Sequence, residues 1–173
     1  MAPEHKSYLS EIEQAMKDAG LGAEFKYHGV LDRDEKISFL RKLDLLSVPA
    51  TYNEPKGIFL LEAMACGVPV VQPRRGAFTE IVEKTGGGLL VEPDGTESLA
   101  KGILEIYHEP ALGEKLGLSG FENVRRHYSV AHMADRALEV YKSVTRNEPR
   151  PQMNTDKHGS ERTDRQASEE VLI

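Results

Sequence analysis

With 173 residues, 39% of them hydrophobic, the chain can bury one ordinary α/β core but not two. Its formal net charge of -6, with acids and bases interspersed, excludes a nucleic acid as the main partner, because phosphate neutralisation needs clustered Lys and Arg. The single cysteine, Cys66, excludes an internal disulfide and a thiolate metal site, and no apolar run approaches the ~18 residues of a membrane span. With no signal-peptide core at the N-terminus, the reading is a cytoplasmic, single-domain chain without a transmembrane segment.

Taken in order, the elements alternate between helical and strand patterns. Tyr8, Leu9, Ile12, Met16 and Ala19 recur at helical spacing and stop at Gly20, a C-cap signal. Phe25 and Tyr27 mark a short strand. Asp32 with Glu35 three residues on is a capping-box pattern, opening a helix that runs to about Lys42. Residues 45–49 form an apolar strand, residues 58–66 a helix stopped by Gly67, and residues 68–71 a buried strand with Pro69 near its start. A short helix over 79–84 and a fourth strand over 89–91 follow. Helices are then predicted over 97–108, 111–127 and 130–144, the last N-capped by Ser129. From residue 148 onward the sequence is charged and polar without one aromatic, so 148–173 reads as a disordered polar tail and 1–147 as the folded domain.

Strand–helix alternation with apolar strands predicts an α/β fold: a Rossmann-like parallel sheet of about four strands, helices on both faces, and C-terminal helices beyond it. Right-handed crossovers put any ligand crevice at the strands' C-terminal edge, beside residues 51–57 and 72–78. Four strands are fewer than such a domain usually has, and the chain opens on a helix, so it reads as truncated on its N-terminal side.

The most informative stretch runs from Asn53 to Gly67. The helix in it is apolar nearly all round, yet Glu62 sits in its middle. A carboxylate there needs a partner. Either Arg41, Lys42 or Arg74 supplies an internal ion pair, or Glu62 faces a crevice where a vicinal diol such as a ribose satisfies it. At the helix start Pro55 fixes φ, and Gly57 removes a side chain where a ligand could approach. The amides of Gly57, Ile58 and Phe59 are then expected to point, unbonded, toward phosphate or sugar oxygens.

Glu54 and Glu62, eight positions apart and followed by Ala-Met-Ala-Cys-Gly-Val-Pro-Val-Val, resemble the glutamate-pair motif of the group 1 glycosyltransferases (family 4, GT-B fold). The flanks are similar too. Phe25-Lys-Tyr-His-Gly29-Val30, Leu45-Leu-Ser-Val-Pro49, Gly76-Ala-Phe-Thr-Glu80-Ile-Val82, Gly87-Gly88-Leu-Leu-Val91 and His127-Tyr128-Ser129 follow in the family's order, so the resemblance covers about Tyr8 to Val144. It implies half of a GT-B fold whose role is donor binding. Hexosyl transfer from a nucleotide-diphosphate sugar is implied, with retention and without an essential metal or cofactor. Glu54 would contact the sugar at the catalytic centre, and Glu62 the ribose. The amides of Gly57, Ile58 and Phe59 would hold the sugar and diphosphate.

The family's diphosphate-neutralising Arg and Lys, on strands preceding this region, have no counterpart before Tyr8, and neither has its N-terminal acceptor domain. Transfer without a clamp on the leaving group is unfavourable, so this chain alone is expected to be inactive. Lys56, Arg74 and Arg75 could substitute for that clamp, but each reads better as a solvated cation. Asp32-Arg33-Asp34 matches the Asp-x-Asp pattern of metal-dependent transferases, yet Asp32 is better used as a helix cap. His28 reads as a surface histidine and Cys66 as inert packing. Alternatives are a catalytically inactive nucleotide-sugar-binding or interaction module and, less well supported by the glutamate pair, half of a sugar-nucleotide epimerase.

Overall fold

The computed structural model describes residues 3–145, and the expected polar tail at 148–173 lies outside the described residues. The elements among them are α1 (Pro3–Asp18), α2 (Arg33–Leu40), α3 (Ile58–Ala65), β1 (Val70–Pro73), α4 (Ala77–Thr85), β2 (Gly88–Val91), α5 (Thr96–His108), α6 (Pro110–His127) and α7 (Val130–Thr145). They fall in two compact units, 1–133 and 134–173. The second consists, among the described residues, of the remainder of α7, where Arg136 and Glu139 pair at 2.9 Å one turn apart.

The α/β class is as expected. β1 and β2 pair in parallel, Val70 opposite Gly88 and Pro73 opposite Val91, with α4 as the crossover. The strand pleat sends Val70 and Val71 to opposite faces. Val70 joins a core of Leu60, Ala63 and Met64 from α3 and Phe78, Ile81 and Val82 from α4. On the other face, a Cβ at Gly102 of α5 would stand 3.0 Å from Val71 and 2.8 Å from Val91, so α5 lies on the sheet through a glycine. Helices therefore cover both faces of β1, and the strand is buried along its length.

Small residues bring α6 against α3. Gly113, Gly117 and Gly120 are buried on one helical face. A Cβ at Gly117 would stand 2.3 Å from the Gly67 carbonyl oxygen, and one at Gly120 3.1 Å from the Gly87 Cα. The carbonyl of Thr85, at the end of α4, accepts from Ser119 Oγ at 2.9 Å and Asn123 Nδ2 at 3.0 Å, tying α6 to α4.

The sheet has two strands where the apolar runs predict about four. The run 45–49 meets β1 at one bridge, Leu46 to Val70. There Leu46 N donates to Pro69 O at 2.9 Å and Val71 N to Leu46 O at 3.0 Å. A continuing parallel ladder would need the N–H of residue 73 for Val48 O, and residue 73 is proline. Pro69 imposes the same limit at the other end. Gln72 replaces the lost rung with its side chain. It is fully buried, and its carboxamide, oriented by its surroundings, donates to Val48 O at 2.8 Å and accepts from Val48 N at 3.1 Å. Residues 25–27 form no strand either. Nothing in the described sheet pairs with them, Tyr27 is 46% and Val30 89% exposed, and the Phe25 amide is taken by Leu21 O at 3.3 Å in a turn, so an isolated strand has no partner to offset its ordering.

The helices follow the local signals closely. Asp32 Oδ1 accepts from Glu35 N at 2.9 Å and Glu35 Oε2 from Asp32 N at 3.0 Å, completing the capping box, although α2 ends at Leu40. Ser129 Oγ accepts from His132 N at 3.2 Å as the cap of α7.

Candidate functional site

Residues 51–57 leave the sheet's C-terminal edge and lead into α3, and Glu54 is the residue they hold most tightly. Its Oε1 accepts from Lys56 N at 3.0 Å and Gly57 N at 3.1 Å, and its Oε2 from the Tyr52 hydroxyl at 3.2 Å. The Gly57 amide above all, then the Lys56 amide, keeps the carboxyl below the usual glutamate range. The carboxylate in turn raises the Tyr52 phenol, first through their hydrogen bond and then by its charge. The backbone of Glu54 is held as well: Ala77 N donates to its carbonyl at 2.8 Å. Gly76, at φ 51°, lies so close that a Cβ there would stand 2.6 Å from that same oxygen. Nothing in the sequence foretells this contact, since Gly76 lies 22 residues beyond Glu54.

Gly57 has a different use from the one its sequence suggests. It is the left-handed N-cap of α3, at φ 60°. A Cβ there would meet Ile81 Cδ1 at 2.9 Å, so the missing side chain makes room for the core and not for a ligand. Its amide is not unbonded, since it answers Glu54. Ile58 and Phe59, the first two residues of the helix, have no intrahelical acceptor for their N–H groups. Phe59 packs edge-on against Phe78, ring centroids 5.8 Å apart.

Glu62 is neither enclosed nor paired with Arg41, Lys42 or Arg74. Lys36 of α2 holds its Oε1 at 2.6 Å, and the Glu62 side chain remains 37% exposed. Arg33, Lys36, Ile37 and Leu40 share one face of α2, but nothing in the sequence links that face to Glu62, 26 residues beyond Lys36. Glu62 lines a cavity of about 580 Å³ together with Arg33, Lys36, Arg41, Cys66 and Arg125. A second cavity, about 300 Å³, lies at the strand ends between Pro49, Thr51, Pro73, Val91, Asp94 and Leu99. Glu54 lines neither of these, so the two glutamates are not brought to one cavity.

The remaining candidates resolve as follows. Arg74 is exposed and pairs with Glu83 at 2.6 Å. Arg75 is no solvated cation: its side chain is 16% exposed, it grips Asp94 with both terminal nitrogens, and it reaches Ala50 O at 3.4 Å. Lys56 is exposed. His28 stacks at a tilt on Phe39, centroids 4.8 Å apart. The Asp32 carboxylate is committed to its helix cap. Among the described residues no group of three or more His, Cys, Asp or Glu could hold a metal ion, and no helix is long and apolar enough to cross a membrane.

The described residues thus form a layered α/β unit with a carboxylate fixed beside a helix entrance at its sheet edge. The family described as "Glycosyl transferases group 1" matches residues 5–122, and the chain belongs to that family. It is 35% identical over 149 residues to the alpha-maltose-1-phosphate synthase of Mycolicibacterium smegmatis, covering 83% of this chain and 38% of that protein. It is 32% identical over 133 residues to the phosphatidyl-myo-inositol mannosyltransferase of Mycobacterium leprae, covering 76% of this chain and 35% of that one. The chain thus spans little more than a third of the curated relatives it matches. Among solved structures, Anabaena Alr3699/HepE in complex with UDP superposes with a TM-score of 0.74 at 25% identity, over 82% of this chain and 38% of HepE. Sucrose-phosphate synthase from Thermosynechococcus elongatus gives 0.71 at 28% identity, over 82% and 35%.

Proposed function

We propose that residues 54–62 carry the donor site of a glycosyltransferase. In this reading a hexosyl group moves from a nucleotide-diphosphate sugar to an acceptor held by a separate N-terminal domain, with retention and without an essential metal. The observation that carries it is the ionised Glu54, fixed at the start of α3 by the Lys56 and Gly57 amides. A carboxylate so held accepts hydrogen bonds from sugar hydroxyls, and its charge stabilises the positive charge that develops at the anomeric carbon as the diphosphate leaves. The N–H groups of Ile58 and Phe59 add the positive end of the helix dipole for the departing oxygens. Glu62, its carboxylate oriented by Lys36 and still half-exposed, suits the ribose diol. The solved complexes of HepE with UDP and UDP-glucose support this donor class.

Calorimetry on residues 1–173 with UDP-glucose, GDP-mannose and ADP-glucose, beside a product assay, tests the reading. Charge-assisted hydrogen bonds contribute about 1.5–3 kcal/mol each. Without the family's Arg and Lys, binding is expected about two to four orders of magnitude weaker than in a two-domain transferase. No turnover is expected, and Glu54→Gln or Glu62→Gln weakens the remaining binding about tenfold. Binding indifferent to both substitutions sinks the site, and turnover by residues 1–173 sinks the need for a second domain.

A further inference from the structure

A helix of 16 residues rises about 24 Å, and α7 presents two distinct faces along that length. At about 100° per residue, Ala134, Ala137, Leu138, Val140, Tyr141 and Val144 fall on one side. Asp135, Arg136, Glu139, Lys142 and Ser143 fall on the other. A contiguous apolar stripe of this kind marks a surface that something covers. Yet no residue of α7 is buried, and Leu138, Val140, Tyr141 and Val144 are between 52% and 68% exposed. The polar side argues against a lipid surface as the cover. Its two acids and two bases cancel, and Arg136 is engaged by Glu139 at 2.9 Å, whereas a helix lying on anionic lipid carries an excess of Lys and Arg.

We propose that this face takes a second copy of the chain, the two α7 helices pairing antiparallel about a two-fold axis beside Glu139. In that register, residues equally far before and after Glu139 lie level. Ala137 then stands opposite Tyr141 of the second copy, and Ala134 opposite Val144, small against large at each level. Leu138 meets its own copy along one edge of the stripe, and Val140 its own copy along the other. Beyond the Leu138 edge, Asp135 comes within one residue of level with Lys142 of the second copy, so opposite charges meet at two symmetry-related places. Parallel pairing would set Tyr141 on Tyr141 and Ala137 on Ala137, crowding one level and leaving a gap at the next. A single helix pair falls at the low end of specific interfaces, which bury at least about 1,200 Å², so the association is of micromolar strength. The donor reading uses none of these residues, and this inference goes beyond it.

Sedimentation equilibrium of residues 1–173 between about 1 and 200 μM is expected to show a monomer–dimer equilibrium with a Kd of about 10–100 μM. Leu138→Glu sets two carboxylates against each other along one edge and should raise that Kd at least tenfold. Because Leu138 is exposed, the melting temperature of the dilute monomer should not change. Asp135→Lys alone puts like charges together at both symmetry-related places and should raise the Kd about threefold or more. Adding Lys142→Asp to it restores opposite charges and should return the wild-type value. A chain that stays monomeric at 200 μM, whether because a second domain or a membrane takes this face, overturns the proposal. So does a dimer indifferent to Leu138→Glu, which would lie on another surface. Failure of the charge exchange to restore pairing overturns the antiparallel arrangement.

Discussion

Residues 57–128 and residues 19–56 belong to one chain and are held in opposite ways. In the first, Leu60, Met64, Val70 and Phe78 are wholly buried, and glycines bring α6 into backbone contact with its neighbours. In the second, Leu21, Tyr27 and Val30 are exposed, one bridge joins residues 45–49 to β1, and Ser47 Oγ is buried without a partner. The second region owes much of its order to hydrogen bonds: the Asp32–Glu35 box and the Glu54 turn within it, and the Gln72 carboxamide that reaches Val48 from β1. Close packing thus fixes one half of the unit, and hydrogen bonds together with the buried Leu40 hold the other. The candidate site lies where the two meet, its loop held by Gly76 and Ala77 from the packed half.

The sharpest way to break this contrast is Phe78→Ala. Emptying a fully buried aromatic site should lower global stability by about 3–5 kcal/mol in denaturant unfolding, and a loss under 1 kcal/mol would show that the packed half is not cohesive. Next comes Gly117→Ala. In an open helix that change stabilises by about 1 kcal/mol, but the new methyl must push against the Gly67 carbonyl, so a net loss of about 1–2 kcal/mol is expected. A net gain in the same unfolding measurement would mean that α6 can move away freely. Smaller is Asp32→Ala, about 1 kcal/mol, read as faster amide exchange confined to α2 while the amides of β1 stay protected. Uniform loss of protection would erase the distinction between the halves.

The smallest effect concerns acid. Because the folded state depresses the Glu54 pKa, its contribution is complete above the ordinary glutamate value and is lost as pH falls through the folded value. Amide exchange at Lys56 and Gly57, corrected for the intrinsic rate, should accelerate over that acidic window in the wild type. Glu54→Gln, which cannot titrate, should show no such step.

The sequence was most legible where a signal is local. Asp32 and Glu35 announced their capping box, Gly20 and Gly67 their helix ends, and the apolar runs after Gly57 their helices. It misled where pairing depends on a distant neighbour. The run 45–49 is apolar enough for a strand, and the spacing of Pro69 and Pro73 shows in retrospect that β1 could offer it only one rung. For the site, the positions of Glu54 and Glu62 were readable, but their partners were not. Lys36 lies 26 residues from Glu62 in the chain, and Gly76 is 22 beyond Glu54, too far apart for any periodic pattern to link them. Arg75 shows the same limit, since an exposed-looking Arg-Arg pair gives no hint that one member grips Asp94.

The Gln72 side chain has one further consequence, which is mechanical. A peptide-to-peptide rung would draw residues 48–50 to ladder distance from Pro73, whereas a glutamine rung adds the length of its methylene arm. The carboxamide therefore works as a strut that props the two segments apart at the sheet's end. Pro49, Ala50 and Pro73, on either side of it, line the cavity at the strand ends. The width of that opening is thus set by the length of one side chain, and shortening it to asparagine would draw the mouth closed without altering a single lining residue.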